Sequence, residues 1–157
     1  MHALQISRTI RIAAALAVLL PAMGVRVLAH DNHASYAAGE PGDPKKPSRE
    51  IVVEMGDRYY RPKQLQVKRG EQVRFVLRND GYEDHEFLLD TTEANLKHAE
   101  AMRKNPGMEH GEPNGVQLAP KKSGEILWKF TKTGTFEFAC LIAGHREAGM
   151  IGTVVVK

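Results

Sequence analysis

The sequence predicts an all-β fold, a Greek-key antiparallel β-sandwich with one short helical insertion. Short runs in which apolar and polar residues alternate, as they do in half-buried strands, recur from Ile51 to the end of the chain. Turn-forming residues such as Asn79-Asp80-Gly81 separate these runs at short intervals. Helical spacing of apolar residues occurs in one segment, Asp90 to Lys104. Residues 49–157 are numerous enough to form one domain with its own core.

The first 29 residues have the features of a signal peptide. Two arginines precede an apolar run over residues 12–20, which is too short to span a bilayer. Val27-Leu28-Ala29 fits the small-residue cleavage pattern, so we expect the mature chain to begin at His30, with a cut after Gly24 as the alternative. The predicted location is the periplasm, with no membrane span after cleavage.

Charge and cysteine content narrow the classes of function. The whole chain has 22 basic and 19 acidic residues, but residues 1–29 contribute three arginines and no acid, so the rest is neutral overall. No basic stripe with interleaved aromatic residues is present, so nucleic-acid binding is not expected. A single cysteine cannot form an internal disulfide. The protein is expected to be a monomer.

Residues 30–48 are expected to form a flexible tail and linker. Cleavage before His30 would place a free amine beside its imidazole, with His33 three residues on, and these groups can bind Cu(II). The alternative is a disordered polar tail. Residues 34–48 are rich in proline, glycine and charge, which is typical of a linker. The predicted domain therefore begins at Arg49.

Three strands are predicted before the helix, and residues 59–62 between them have no strand pattern. Their alternating apolar positions are Ile51, Val53 and Met55; Leu65 and Val67; and Val73, Phe75 and Leu77.

The helix is expected to be capped by Asp90, with Glu93 at the capping-box position, and to end at Asn105-Pro106. Its predicted inward stripe consists of Leu96, Ala99 and Met102.

A second, weaker copper site is a possibility near the helix. His98 and Met102 are neighbours at i, i+4, and Met108 and His110 follow within a few residues. Imidazole and thioether groups suit Cu(I). The alternative is that Met102 packs inward while the other three residues lie on the surface.

Three further strands follow the helix and a short strand or edge around Val116 and Leu118. Their inward positions are Ile126, Trp128 and Phe130; Phe136, Phe138 and Cys140; and the run from Ile151 to Val156.

The only cysteine lies in a loop with an informative set of donor atoms. His145 follows Cys140 by five positions, Met150 follows His145 by five, and glycines let the loop turn back. Each residue alone is compatible with a buried thiol, a surface histidine or a core methionine. Together they match a blue-copper site, which uses one Cys, two His and a weak axial Met, whereas thioether is not a usual zinc ligand.

His85 supplies the second imidazole, because it begins the apolar run after the Asn79-Asp80-Gly81 turn. The chain resembles the cupredoxins in its strand, its Asn-containing turn and His-Glu-Phe, followed downstream by Cys-x4-His-x4-Met. The likeness is to the azurin, plastocyanin and rusticyanin group and to the small periplasmic copper-tolerance cupredoxins. The resemblance covers residues 51–157. It implies a cupredoxin-like sandwich with one type 1 copper bound by His85, Cys140, His145 and Met150.

The resemblance also implies how a partner would reach the copper. His145 would be the ligand nearest the surface, and the small residues around it would form a docking patch for a transient redox partner such as a cytochrome or an oxidase. One position departs from the family. Many members carry Asn or Ser after the first His ligand, where it ties that loop to the Cys loop, and this chain has Glu86. The direction of its effect on potential and colour stays open.

No enzymatic activity is expected. A binuclear copper site needs two cysteines, a multicopper oxidase needs a His-Cys-His run, and a Cys-His hydrolase needs an exposed thiol. Two functions remain: electron transfer through a Cu(I)/Cu(II) couple, and copper handling, meaning the binding, buffering or detoxification of copper. His30, His33 and the His/Met cluster near the helix favour copper handling slightly, because an electron shuttle needs neither.

Overall fold

A computed structural model describes residues 36–105 and 111–157. They lie in one compact unit that spans His33–Lys157. The predicted signal peptide and the candidate ligands His30, His33, Met108 and His110 lie outside the described residues. Within the two described ranges, no helix is both long and apolar enough to cross a membrane.

The described residues form ten strands and one helix, arranged as two packed five-stranded sheets. The elements in chain order are β1 (Gly39–Pro41), β2 (Arg49–Gly56), β3 (Tyr59–Arg61), β4 (Gln64–Val67), β5 (Gln72–Asn79), β6 (His85–Asp90), α1 (Thr92–Lys104), β7 (Gly115–Leu118), β8 (Ser123–Phe130), β9 (Gly134–Ala139) and β10 (Ile151–Val156). The first sheet has the order β1-β8-β5-β2-β3 and the second β4-β10-β9-β6-β7. The predicted β-sandwich with one helical insertion is confirmed.

Two strand pairs depart from the antiparallel pattern of the predicted sandwich, because β2 pairs with β5 and β4 pairs with β10 in parallel. The chain leaves β2 through β3 and then crosses to the second sheet as β4. It can therefore re-enter the first sheet at β5 in the same direction as β2, which a tight hairpin could not allow.

The prediction of a linker is wrong for residues 36–41. Strand β1 pairs with β8 at the edge of the first sheet, and the Tyr36 ring meets Trp128 edge-on at 5.3 Å. Ala38 is fully buried. Gly39 is required there, because a Cβ would lie 2.0 Å from the Lys129 carbonyl oxygen. Residues 59–61 were also expected to be irregular, yet they form β3 and pair with β2.

The helix begins one residue later than predicted. Asp90 still belongs to β6, where it pairs with Glu137, so Thr91 is the N-cap and its hydroxyl accepts a 3.1 Å bond from the Ala94 N–H. Of the predicted inward stripe, Leu96 is 49% exposed. Ala99 and Met102 do pack inward, against an apolar cluster formed by Leu88, Ala139 and Leu141.

The main core lies between the sheets and is aromatic. Phe75, Phe87 and Phe138 are fully buried, and the rings of Phe87 and Phe138 stack with centroids 5.0 Å apart. The alternation of side chains along a strand places Phe75 of β5, Phe87 of β6 and Phe138 of β9 inward. The start of β6 and the end of β9 meet at one end of this core, and this is where the candidate ligands lie.

Candidate metal centre

The loop between β9 and β10 folds back through its own backbone hydrogen bonds. The Cys140 N–H donates to the Met150 carbonyl at 3.2 Å, and the Met150 N–H donates to the His145 carbonyl at 3.0 Å. Gly144 and Gly149 have φ values of +84° and +96°, which other residues rarely adopt. A short stretch of chain therefore brings the thiol and the imidazole to the same end of the sandwich as His85.

Three of the four predicted ligands converge. One donor atom from each of His85, Cys140 and His145 lies within 4.8 Å of the other two, and this is the one such group of His, Cys, Asp and Glu in residues 36–105 and 111–157. The His145 Nδ1 atom is 3.3 Å from both the Cys140 sulfur and the His85 Nδ1 atom. All three residues are buried.

Met150, the fourth predicted ligand, is also fully buried and joins the main core cluster. Its backbone bonds to Cys140 and His145 place it beside the other three residues. Its role as an axial ligand stays a prediction.

His85 is oriented by a carboxylate. Its Nε2 atom lies 3.0 Å from Asp57 Oδ1, in the turn between β2 and β3. This hydrogen bond is the main reason that the pKa of Asp57 is lowered. A proton held on Nε2 leaves the Nδ1 lone pair directed toward the cluster. Gly81 leaves room for the contact, since a Cβ there would lie 2.2 Å from Asp57 Oδ1.

His145 is covered by charged side chains. Its Nε2 atom lies 2.7 Å from Arg58 Nη1 and 3.3 Å from Glu83 Oε2, and Arg58 and Glu83 form an ion pair with each other. Burial and then the nearby Arg58 charge lower the pKa of His145. His145 is only 5% exposed. It therefore reaches the surface less than the resemblance implied, although Ala143, Gly144 and Ala148 around it are exposed.

The Cys140 thiol accepts hydrogen bonds from the backbone N–H groups of Glu86 and Ile142. The Glu86 N–H donates to its sulfur at 3.3 Å, and the residue is fully buried. Burial raises the pKa of Cys140 to about 11, and the Glu86 N–H opposes this. At neutral pH the metal-free protein therefore holds a thiol, and a bound cation would supply the positive charge that a thiolate needs.

Glu86 takes the tying role that the family gives to Asn or Ser. Its side chain is 1% exposed, and its Oε2 atom accepts a 3.1 Å hydrogen bond from the Leu141 N–H. The Tyr60 hydroxyl donates to the Glu86 carbonyl. Residue 86 thus connects the His85 strand to the Cys140 loop through both its backbone and its carboxylate.

Asp57, Arg58 and Glu83 were not found by sequence reasoning. They lie in turns, at least 28 positions away from the ligand that each of them contacts, because Glu83 contacts His145 and not the nearby His85. Arg58 has a positive φ of 74°, a conformation that the sequence does not signal because the residue is not glycine.

Only His98 and Met102 of the second candidate copper site lie within the described residues, so this site stays a prediction. Met102 packs against the Leu88 cluster, whereas His98 lines a separate cavity of about 320 Å³ with Asp90 and Asn114. His98 does not belong to the group of converging donors described above. Its partners Met108 and His110 lie outside the described residues.

The donor set fits copper. Two imidazole nitrogens and a thiolate, in a buried apolar setting with a thioether nearby, are the ligands of blue-copper sites. A hard cation such as Mg²⁺ or Ca²⁺ would require oxygen donors, and none of the three converging groups offers one.

Comparison with known families and proteins agrees with this chemistry. Residues 18–156 match the model of the cupredoxin-like domain family. The copper-resistant cuproprotein CopI of Rubrivivax gelatinosus is 50% identical over 130 residues, covering 82% of this chain and 79% of that protein. The copper-resistant cuproprotein CopI of Pseudomonas aeruginosa is 35% identical over 173 residues, covering 92% and 95%.

Solved structures show the same fold. A reduced auracyanin from Roseiflexus castenholzii superimposes with a TM-score of 0.60 at 20% identity, covering 71% of this chain and 99% of that one. Auracyanin B gives a TM-score of 0.64 at 20% identity, covering 76% and 96%. At this identity the likeness concerns the fold alone.

Proposed function

Since this chain belongs to the cupredoxin-like family, we propose that it is an exported copper protein of the cell envelope that serves copper tolerance. One copper would be held by His85, Cys140 and His145, with Met150 as a weak axial ligand. Two relatives with 50% and 35% identity carry the name copper-resistant cuproprotein, which supports this role. Binding, and not catalysis, is the proposed activity.

The observation that carries the proposal is the convergence of two imidazoles and one thiol. They come from strands and loops up to 60 positions apart, and all three are buried. Two imidazoles and a thiol whose donor atoms lie within 4.8 Å of one another form the donor set of a blue-copper site. Metal ligation would also protect the lone thiol in an oxidising compartment.

The protein prepares this site before any metal arrives. Asp57 directs the His85 Nδ1 lone pair inward, and the Glu86 N–H is placed to stabilise negative charge on the Cys140 sulfur. Buried apolar side chains exclude water, and two sheets hold the ligand-bearing segments in fixed positions. When bound, copper supplies a one-electron Cu(I)/Cu(II) couple.

The proposal is tested by adding Cu(II) to the metal-free protein. We expect an intense thiolate-to-copper charge-transfer band that is absent in Cys140→Ala. His98→Ala is the matched control, because His98 lies outside the cluster, and it should keep the full band. A Cu(II) complex without this band in the intact protein would contradict the assignment.

An electron carrier is the second candidate function. Ala143, Gly144 and Ala148 are small and exposed beside His145, which suits brief docking of a monomer onto a redox partner such as a cytochrome or an oxidase. Copper stoichiometry separates the two functions. A single strongly coloured copper favours the carrier, and further colourless copper favours handling.

The further copper would bind to the weaker candidate residues. Titration of Cys140→Ala with Cu(I) and Cu(II) against a chelator isolates them from the main site. Binding that is lost on deletion of residues 30–33, or in His98→Ala with His110→Ala, would support copper handling. No binding above that of a His-poor protein would support the carrier.

A further inference from the structure

The two candidate histidine ligands have opposite surroundings at their outer nitrogens. His85 Nε2 faces a carboxylate oxygen of Asp57 at 3.0 Å, so it donates its proton there. His145 Nε2 faces a guanidinium nitrogen of Arg58 at 2.7 Å. Arginine has five N–H donors and no acceptor, so His145 Nε2 must be the acceptor in this contact.

The proton of neutral His145 therefore lies on Nδ1, the nitrogen that faces the cluster. The His145 Nδ1 atom is 3.3 Å from both the Cys140 sulfur and the His85 Nδ1 atom, and either of these atoms can accept the proton. This arrangement satisfies the metal-free protein, but it occupies the lone pair with which His145 would ligate a metal.

Ligation through Nδ1 requires that the same proton sit on Nε2. An Nε2–H group would face the Arg58 N–H, and two hydrogen-bond donors cannot bond to each other. An acceptor is already close, because Glu83 Oε2 lies 3.3 Å from His145 Nε2. Arg58 and Glu83 form an ion pair and are both nearly half exposed, so solvent is open to the Arg58 side chain if it leaves His145.

We propose that Arg58 and Glu83 are positioning residues that exchange as partners of His145 Nε2 when copper binds. Arg58 holds the metal-free tautomer, and Glu83 accepts the proton of the metal-bound tautomer. The proton balance is simple: Cys140 releases its thiol proton to solvent, and the His145 proton moves from Nδ1 to Nε2. No electron is transferred. The inference rests on the copper site proposed above. The exchange of Arg58 for Glu83 as the partner of His145 is called the gate below.

The turn that carries Arg58 allows a clean substitution. Arg58 has a φ of 74°, a region that asparagine adopts more readily than most residues, so Arg58→Asn removes the guanidinium and keeps the turn. Arg58→Lys retains a charged donor. Arg61→Asn removes one positive charge from the same hairpin, where Arg61 pairs with Glu54 and does not reach His145.

The direct test is long-range proton–nitrogen NMR of the His145 ring. In the metal-free wild type we expect the proton on Nδ1, and in the Cu(I)-loaded protein on Nε2. Metal-free Arg58→Asn should shift toward the Nε2–H tautomer, whereas Arg58→Lys and Arg61→Asn should resemble the wild type. A metal-free wild type with the proton on Nε2, or an Arg58→Asn spectrum like that of the wild type, overturns the proposal.

Copper affinity gives a second readout, measured for Cu(I) against a competing chelator. A hydrogen bond lost only from the metal-free state should tighten binding in Arg58→Asn by about 3- to 10-fold. Glu83→Ala should weaken binding by about 2- to 10-fold, because the loaded state loses its acceptor. Arg61→Asn should change it by less than about twofold, since salt screens a distant exposed charge. Equal affinities in Arg58→Asn and Arg61→Asn would overturn the gate.

These outcomes separate the gate from the site itself. The charge-transfer band should be absent both in Cys140→Ala and in the double variant that combines Cys140→Ala with Arg58→Asn. If wild-type protein shows no thiolate-to-copper band, the proposed copper site fails, whatever the NMR of the metal-free protein shows. If the band is present and the tautomer does not respond to Arg58, only the gate fails.

Discussion

The buried carboxylate of Glu86 offers a sharp test of how the two ligand-bearing segments are joined. The Leu141 N–H donates to Glu86 Oε2 at 3.1 Å, and both residues are buried. Glu86→Gln and Glu86→Ala both remove the ionisable carboxyl group, but only Gln keeps an acceptor oxygen. Comparing the two variants with each other therefore cancels the effect of removing that group.

The difference in stability can be worked out from this contact. A buried N–H left without an acceptor costs about 1–3 kcal/mol, and loss of one buried methylene adds about 0.8 kcal/mol. Glu86→Ala should therefore be less stable than Glu86→Gln by about 2–4 kcal/mol. With a urea dependence of about 1.5 kcal/mol per molar, the unfolding midpoint should fall by roughly 1–2.5 M.

The assay is urea denaturation of the metal-free protein, followed through the fluorescence of Trp128, the single tryptophan, which is fully buried. Copper-loaded samples should show a second effect, a shift of the charge-transfer band in Glu86→Ala that exceeds the shift in Glu86→Gln. Midpoints for the two variants within about 0.3 M, where the experimental error dominates, would refute the view that Glu86 ties the loops through Leu141.

Three further predictions concern the axial ligand, the core and a buried ion pair. Met150→Leu should keep copper and colour and raise the reduction potential, because a weak donor that favours Cu(II) is removed; an unchanged or lower potential in voltammetry would contradict this. Gly152→Ala should destabilise the fold by about 1–3 kcal/mol in urea, since its Cβ would lie 2.1 Å from the ring of buried Phe138; an unchanged midpoint would show that the ring moves freely. Arg146→Met should cost about 2–4 kcal/mol, because Glu137 is 7% exposed and loses its charged partner; a stability equal to the wild type would mean that neutral donors satisfy it.

Much of the sandwich could be predicted because alternation is a local signal. The inward positions Val73, Phe75 and Leu77 are all fully buried, and β10 spans the predicted run Ile151–Val156. Pairing direction could not be predicted in the same way. Whether β5 lies parallel or antiparallel to β2 depends on which sheet the intervening strands join, and no local pattern encodes that choice.

The helix shows how tertiary contacts override a local pattern. Leu96 is more apolar than Asn95, so the inward face was assigned to Leu96. In the structure Asn95 is the buried residue, because its side-chain N–H donates to Glu137 Oε1 at 3.2 Å. Glu137 lies on β9, 42 positions away, and a sequence pattern does not reveal a polar partner at that separation.

In the candidate site too, some residues could be predicted from the sequence and others could not. The inner residues could be identified because thiol, imidazole and thioether are chemically distinctive and regularly spaced. The residues that orient them could not, because aspartate, arginine and glutamate in turns are most often solvated.

The outer residues nevertheless decide how the site differs from a bare set of ligands. Asp57 prepares His85 for a metal, whereas Arg58 favours the form of His145 that cannot bind one through Nδ1. A protein that only shuttles electrons keeps its copper, and an obstacle to loading would give it no advantage. A protein that takes up copper and gives it up again would benefit from a half-prepared site, because Arg58 lowers the copper affinity by stabilising the metal-free form of His145. The contact between Arg58 and His145 therefore supports copper handling through the main site itself, without any need for a second one.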